Sequence, residues 1–272
     1  MLTARTRQWL QAIILLLMGL YFLDNMLSGH IYYYINERFG WLSWLATGIF
    51  LALGGVGIAN VLRQQREERA HALEDHEHDH GDDHDDHDHA EHDHGHDHVH
   101  GAVSWPVLSL IALPLIVGLI IPSKPLGAAA VGTSGVNMSY TGLNGSSNST
   151  ELTTASTDRN VLDWVKAFNT TTNMDEFTGQ GADLVGFVYR DIRFDNQPRF
   201  MVARFTISCC VADAVAIGVI VQSDQAAKFV PDSWVHVKGK FQVQQFDNQK
   251  TPILVADAIE PTTQPDQPYL YP

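Results

Sequence analysis

The sequence of 272 residues contains few cysteines and few basic residues, and both shortages exclude classes of protein. Its two cysteines are adjacent, and they are too few for a disulfide-stapled fold or a four-cysteine zinc ribbon. Lysine and arginine total 17 against 31 acidic residues, so a nucleic-acid-binding protein driven by global positive charge is excluded. No Ser/His/Asp set, carboxylate pair at a cleft or phosphate-binding glycine loop can be located, so we expect no enzymatic activity.

Three long apolar blocks are the main feature of the first 122 residues. They cover residues of about 9–27, 41–62 and 103–121. Some 20 apolar residues at about 1.5 Å per residue match the hydrocarbon thickness of a bilayer. The pattern predicts an α-helical membrane half with three transmembrane helices. The first helix is expected to stay uncleaved, because no A-x-A-like site follows it.

Basic residues near the ends of the blocks predict the orientation. One side carries Arg5, Arg7, Arg63, Arg66 and Arg69, and the other carries Arg38 and Lys124. Because cytoplasmic ends are enriched in Lys and Arg, the N-terminus and residues 71–100 are predicted to be cytoplasmic. Everything after Pro122 would then lie on the side of the membrane away from the cytoplasm.

Residues 71–100 form a low-complexity tract of histidine and acidic residues. Twelve histidines alternate with twelve acidic residues and no basic ones, so this tract carries nearly all of the net charge of −14. It has no hydrophobic periodicity, which predicts disorder. Imidazole and carboxylate groups suit zinc, nickel or copper, and closely repeated ligands offer several weak, exchanging sites. The candidate ligands are His76, His78, His80, His84, His87, His89, His92, His94, His96, His98 and His100.

Two other interpretations of this tract stay open. A solvated acidic linker explains the carboxylates but not the histidines. A pH sensor is compatible with the same residues, because free histidine titrates near pH 6.5. We expect divalent metal binding, with zinc chosen for its availability although the Irving–Williams order favours copper. No tightly bound cofactor is expected.

The rest of the chain reads as a linker and an all-β domain. Residues 123–160 are rich in Ser, Thr, Asn and Gly, which predicts a flexible linker. Residues 161–272 begin with a short helix, Val161–Phe168. Five strand candidates follow: Asp183–Arg190, Phe200–Ser208, Ala214–Gln222, Trp234–Gln242 and Ile253–Glu260. So few short strands predict a small five-stranded OB-like barrel, with a β-sandwich ranked second.

The adjacent cysteines follow the second strand candidate. Three interpretations of Cys209 and Cys210 compete: ordinary buried residues, a vicinal disulfide or redox pair, and a soft-metal site with Asp213 as third ligand. Neighbouring residues of a strand face opposite sides, so joint action of both thiols requires the backbone to leave the strand here. The lone His236 is expected to be a surface residue.

Several motifs give the chain a family resemblance. They are Gly186-Phe-Val-Tyr-Arg190, Phe200-Met-Val-Ala-Arg-Phe205, Cys209-Cys-Val-Ala-Asp-Ala214, Trp234-Val-His-Val-Lys-Gly239 and Pro268-Tyr-Leu-Tyr271. With these motifs the chain resembles a bacterial family of permease subunits. These are small membrane proteins that are encoded beside a larger multi-pass permease and described as half of a two-component complex.

The resemblance implies a multi-pass permease partner and a link to metal-ion homeostasis, but no catalytic mechanism. We therefore expect an accessory permease subunit in the lipid bilayer, with the histidine tract buffering divalent metal ions in the cytoplasm. The alternative is a membrane-tethered sensor or assembly module, whose external β domain binds a ligand or protein without transport. No nucleic-acid partner is expected.

Overall fold

The computed structural model describes residues 4–74, 105–132, 135–138 and 156–272. The chain divides into two compact units. The helical unit takes Met1–Gly29 and Trp41–Ser123, and the β unit takes His30–Gly40 and Lys124–Pro272. The segment His30–Gly40, called the inter-helix loop below, therefore belongs to the β unit although it joins two helices of the other unit.

The helical unit contains α1 (Ala4–Leu27), α2 (Gly40–Glu74) and α3 (Trp105–Ile120). Within the described residues, α1 and α2 are long and apolar enough to cross a membrane. Helix α3 is apolar but has only 16 residues. The helical N-terminal half is thus confirmed, with two apolar candidate spans among the described residues.

Small residues let α1 and α2 approach closely. A Cβ atom on Gly54 would lie 2.8 Å from the backbone nitrogen of Leu16, and one on Gly57 would lie 2.9 Å from Cβ of Ala12. Close packing through such residues is typical of membrane helices, which lack a hydrophobic driving force between them. The two helices are antiparallel, since Arg5 and Glu68 form an ion pair of 3.1 Å.

Apolar side chains also cover the outside of the helical unit. Leu53, Leu110, Leu119 and Ile120 are each more than half exposed. Isolated exposed apolar residues are normal on soluble proteins, but contiguous apolar faces are not. Helices that are apolar all round fit a hydrocarbon surrounding.

The β unit is built on one six-stranded sheet. Its strands are β1 (Gly181–Tyr189), β2 (Arg199–Thr206), β3 (Val215–Gln222), β4 (Trp234–Phe246), β5 (Gln249–Pro261) and β6 (Tyr269–Leu270). The five predicted strands are confirmed, and β4 and β5 are longer than expected. The short β6 was not predicted from the sequence.

The pairings of the first five strands form a ring. The order along the sheet is β1-β4-β5-β3-β2-β6, and β1 also pairs with β2. All neighbours in the ring are antiparallel except β3 and β5, which are parallel. Asp247 and Asn248 join β4 to β5 with φ values of 50° and 62°, as a type I′ hairpin turn requires.

Helix α4 (Val161–Thr170) covers one end of the core. The side chain of Asn160 accepts hydrogen bonds from the N–H groups of Leu162 and Asp163, and the Asp163 carboxylate accepts one from the N–H of Asn160. This capping box fixes the start of the helix. Its buried face carries Trp164, whose ring lies 4.6 Å from that of Phe241. The predicted helix Val161–Phe168 is confirmed.

The segment predicted as a flexible linker differs from that expectation in its first part. The described residues 124–132 and 135–138 belong to the β unit. Val136 is buried, and Asn137 donates its backbone N–H to Ala216 O and accepts from Gly218 N. Ser, Thr and Gly composition suggested flexibility, but these backbone bonds to β3 hold the segment on the sheet. Residues 139–155 lie outside the described residues.

One tyrosine joins three segments within the β unit. The hydroxyl of Tyr269 donates to Tyr33 O at 3.1 Å and accepts from Leu126 N at 2.8 Å. Burial raises the pKa of Tyr269, so its proton is retained for donation. The C-terminal tail, the inter-helix loop and the chain that follows α3 are therefore tied together at one oxygen atom.

We predict that Tyr269→Phe lowers the free energy of unfolding of the β unit by about 1–2 kcal/mol, because a part-buried N–H and a part-buried carbonyl lose their partner. Urea denaturation of the detergent-solubilised chain, followed by tryptophan fluorescence, measures this change. The control is Tyr189→Phe, because the Tyr189 hydroxyl makes no hydrogen bond within the described part of the chain. Equal stability of the two variants would contradict the assigned role of Tyr269.

Candidate metal centre

The adjacent cysteines lie in the connection between β2 and β3. Strand β2 ends at Thr206, and a single 3-10 turn, Val211–Asp213, precedes β3. Outside the strand, the two side chains no longer point to opposite faces, and their Sγ atoms lie 3.6 Å apart. Both thiols are free, with Cys209 exposed and Cys210 half-buried.

Asp213 organises the backbone of this turn. One carboxylate oxygen accepts from Ser208 N at 2.8 Å, and the other accepts from Cys209 N at 2.7 Å and Cys210 N at 3.4 Å. The two sulfur atoms and a carboxylate oxygen all lie within 4.8 Å of one another. The three predicted ligands of the soft-metal interpretation are thus brought together.

The same contacts shift the acidity of the turn. The Asp213 carboxylate, and after it Cys210, raises the pKa of the Cys209 thiol to about 11. Partial desolvation acts to raise the pKa of Asp213, but hydrogen bonds from Cys209, Ser208 and Cys210 outweigh it and lower that pKa. Without a bound cation, Cys209 is therefore a protonated thiol beside an ionised carboxylate.

The inter-helix loop holds this turn from the other side. Asn36 donates its backbone N–H to Cys209 O at 3.0 Å and its side-chain amide to Ser208 O at 2.9 Å. The N–H of Val211 donates to Tyr34 O at 2.8 Å. The carbonyl and amide groups of the cysteine turn are thus bonded to the segment that joins α1 to α2.

A buried arginine fixes the tail that carries Tyr269. Arg204 donates to Pro268 O at 2.9 Å, Gln267 O at 2.7 Å and Val185 O at 3.3 Å, and it stacks on Trp234. Burial lowers the pKa of Arg204 to about 10, which leaves it charged at neutral pH. Its contacts are with carbonyl oxygens and an aromatic ring, so it serves as an anchor for the tail.

The remaining predicted residues are placed as follows. The candidate ligands from His76 to His100 lie outside the described residues. His236 is paired with Asp183 across strands β4 and β1, and Lys238 lies 3.4 Å from the same carboxylate. His236 is thus a partly exposed strand residue, as expected.

Sequence reasoning missed the partners of the cysteine turn. Asn36 is 172 residues away from Ser208 along the chain. A short polar residue in a loop carries no signal for such a distant contact. The Pro268-Tyr-Leu-Tyr271 ending stood out as a motif, but nothing in it indicated that Tyr269 is buried.

We predict that Cys209 reacts slowly with iodoacetamide at neutral pH. The neighbouring Asp213 carboxylate raises the pKa of Cys209 to about 11, so very little thiolate is present at neutral pH. In the Cys210→Ser background, Asp213→Asn should lower the pKa of Cys209 and speed its alkylation. The measurement is the rate of alkylation as a function of pH. Asp257→Asn, which removes an exposed charge on β5, should leave the rate unchanged. If Asp213→Asn left the alkylation rate unchanged, this would contradict the assignment of the raised pKa to the Asp213 carboxylate.

Comparisons with known proteins cover nearly the whole chain. Residues 10–137 match the model of the DUF1980 N-terminal domain, and residues 138–272 match that of the DUF1980 C-terminal domain. A Streptococcus mutans protein named "Putative two-component membrane permease complex subunit" is 26% identical over 197 residues. That match covers 60% of this chain and 72% of the relative.

A second relative and one solved structure are more limited matches. The UPF0703 protein YcgQ of Bacillus subtilis is 30% identical over 112 residues, which are 40% of this chain and 39% of that protein. A small single-stranded DNA-binding protein from Streptomyces coelicolor matches 31% of this chain and 93% of its own, at 17% identity and a TM-score of 0.21. Together the two domain models match the chain from residue 10 to its last residue, and it belongs to the DUF1980 family.

Proposed function

We propose that this protein is the accessory subunit of a membrane permease complex and that its chain crosses the bilayer three times. The name of the Streptococcus mutans relative supports a permease complex. The apolar parts of α1, α2 and α3 support partner dependence, because Asp24 is their one acidic or basic residue between positions 10–27, 40–62 and 105–120. Three such helices offer few groups for a transport path of their own.

The observation that carries the three-span proposal is the membership of the inter-helix loop in the β unit. The loop and Lys124–Pro272 form one compact unit, so they lie on the same side of a membrane. Helix α2 leads away from that side, and the chain must return before residue 124. Helix α3 is the apolar helix available for the return. Its 16 residues span about 24 Å, which local thinning of the bilayer accommodates.

The same reasoning assigns the histidine tract to the opposite side. The tract follows α2, whereas residues Lys124–Pro272 of the β unit follow α3. One crossing of the membrane, by α3, therefore separates the tract from the β unit. The excess of arginine at the ends of α1 and α2 that face the tract supports a cytoplasmic location. The β unit then lies outside the cell membrane. Its ring of five strand pairings supports an OB-like barrel for this external domain.

The mechanism proposed for the tract is local capture of divalent metal ions, with zinc as the main candidate. Eleven histidines between positions 76 and 100 stand among carboxylates, and these groups bind borderline metals. Tethering them beside a partner raises the effective ion concentration at its cytoplasmic mouth.

The alternative function is a membrane-tethered sensor or assembly module that transports nothing. The exposed thiol turn of the β unit favours it as a second candidate.

Co-purification from native membranes tests the proposal. A tagged full-length chain should bring down a multi-pass membrane protein in a fixed ratio, which mass spectrometry identifies. The sensor alternative requires that no such complex forms, and its absence would overturn the permease-subunit proposal.

A second variant tests metal capture by the tract. Replacing the eleven histidines from His76 to His100 by asparagine keeps the length and the carboxylates. We predict a loss of most bound zinc, measured by equilibrium dialysis of the purified chain, and a changed zinc content of the cells. Full zinc retention would show that the tract is only an acidic linker.

A further inference from the structure

We propose that Cys209 and Cys210 together bind one thiophilic divalent cation, and that the bound cation tightens the attachment of the inter-helix loop to the β unit. This inference rests on the proposed function, which puts the loop and the thiols on the same side of the membrane. It adds a second metal site, separate from the histidine tract, and couples that site to the loop that joins α1 to α2 along the chain.

The spacing of the two sulfur atoms fits one shared cation. Two thiolates on a tetrahedral ion such as zinc, at about 2.3 Å each, lie ~3.8 Å apart. The observed separation between the Sγ atoms of Cys209 and Cys210 is 3.6 Å. Binding requires each sulfur to donate an electron pair to the cation and to release its proton to solvent.

A disulfide fits the same turn less well. Its sulfur atoms lie about 2.05 Å apart, so the pair would have to close by about 1.5 Å. Cys210 has an extended backbone, and it forms an antiparallel bridge with Ile35 of the inter-helix loop. Closing the bond between neighbouring residues would distort that backbone and strain the bridge. Cation binding leaves both unchanged.

Asp213 acts in this site as a positioning residue. Its carboxylate already accepts three backbone N–H groups, from Ser208, Cys209 and Cys210. A carboxylate offers about four lone-pair positions, so little capacity is left for a cation. Its negative charge nevertheless lies beside the thiols and favours a cation there. The remaining coordination positions are left to solvent or to a group from a partner.

The coupling runs through three hydrogen bonds. Asn36 donates to Cys209 O and to Ser208 O, and Val211 donates to Tyr34 O. A cation that links both thiols restricts the turn from Ser208 to Val211. Opening of these bonds then requires loss of the cation, so occupancy stabilises the loop that joins α1 to α2. By linkage, a change that detaches the loop must weaken cation binding by the factor by which the cation favours the attached loop.

The test uses the full-length chain in detergent with Cd²⁺ as the probe. Thiolate-to-cadmium absorption reports sulfur ligands, so histidines of the tract do not contribute. We expect the band to saturate at one cation per chain and to vanish in Cys209→Ser and in Cys210→Ser. His236→Asn is the matched control, because it alters a histidine-carboxylate contact on strands β4 and β1 that involves neither thiol, and it should leave the band intact.

Hydrogen exchange tests the coupling in the same samples. At free Cd²⁺ about 100 times the Kd, opening of the turn should fall by about 100-fold. The amides of Asn36 and Val211 should then exchange up to about 100-fold more slowly in the wild type and not in the serine variants. Core amides of β2 report that each variant is folded.

A loop variant tests the reciprocal effect. Asn36→Asp keeps the oxygen that accepts from Arg38 N but replaces the group that donates to Ser208 O. It should weaken Cd²⁺ binding, by at most the factor by which a bound cation favours the attached loop.

Three outcomes would overturn the inference: no thiolate band in the wild type, a band that survives either serine variant, or a band with unchanged exchange at Asn36 and Val211. A failed co-purification would overturn the permease-subunit proposal alone. Neither the band nor the exchange rates depend on a partner.

Discussion

The inter-helix loop is hydrogen-bonded to the rest of the β unit, and the contacts of the cysteine turn and of the C-terminal tail depend on this attachment. The loop has only eleven residues, His30–Gly40. Helix α1 ends at Leu27, shortly before it, and helix α2 begins at Gly40. Its backbone is bonded to the cysteine turn and to the Tyr269 hydroxyl. The loop residues that make these hydrogen bonds therefore lie, along the chain, within a few residues of the ends of α1 and α2.

The attachment depends on buried polar groups rather than on apolar packing alone. Arg204 holds the carbonyls before Tyr269, and Tyr269 in turn holds Tyr33 and Leu126. A single hydrogen bond contributes about 1 kcal/mol net, but a buried group that loses its partner costs more. When one bond of such a network is lost, other buried groups lose their partners as well. The loop, the tail and the segment after α3 are therefore expected to dock and release together.

Patterns with a short period were predictable from the sequence, and contacts between distant segments were not. Long apolar runs predicted α1 and α2, and alternation predicted β1 to β5, because both signals are local. The 16-residue α3 is too short for the same evidence of a span. Cys209, Cys210 and Asp213 were found because they are neighbours in sequence. The role of Asn36, far away along the chain, leaves no local trace. The Ser, Thr and Gly composition of the predicted linker likewise gave no sign of the hydrogen bonds between Asn137 and β3.

A disulfide trap tests the attachment of the loop most directly. Ile35→Cys in a Cys209→Ser background places a new thiol opposite Cys210, across an antiparallel bridge where Cα atoms lie about 4.5–5.5 Å apart, within disulfide range. Oxidation of the full chain in membranes should link the two positions, as peptide mapping would show. The control is Ile192→Cys, since the eight residues of β2 hold that position about 25 Å from Cys210. The account predicts a link only for Ile35→Cys, and thiols at position 35 and Cys210 that both stay free would contradict it.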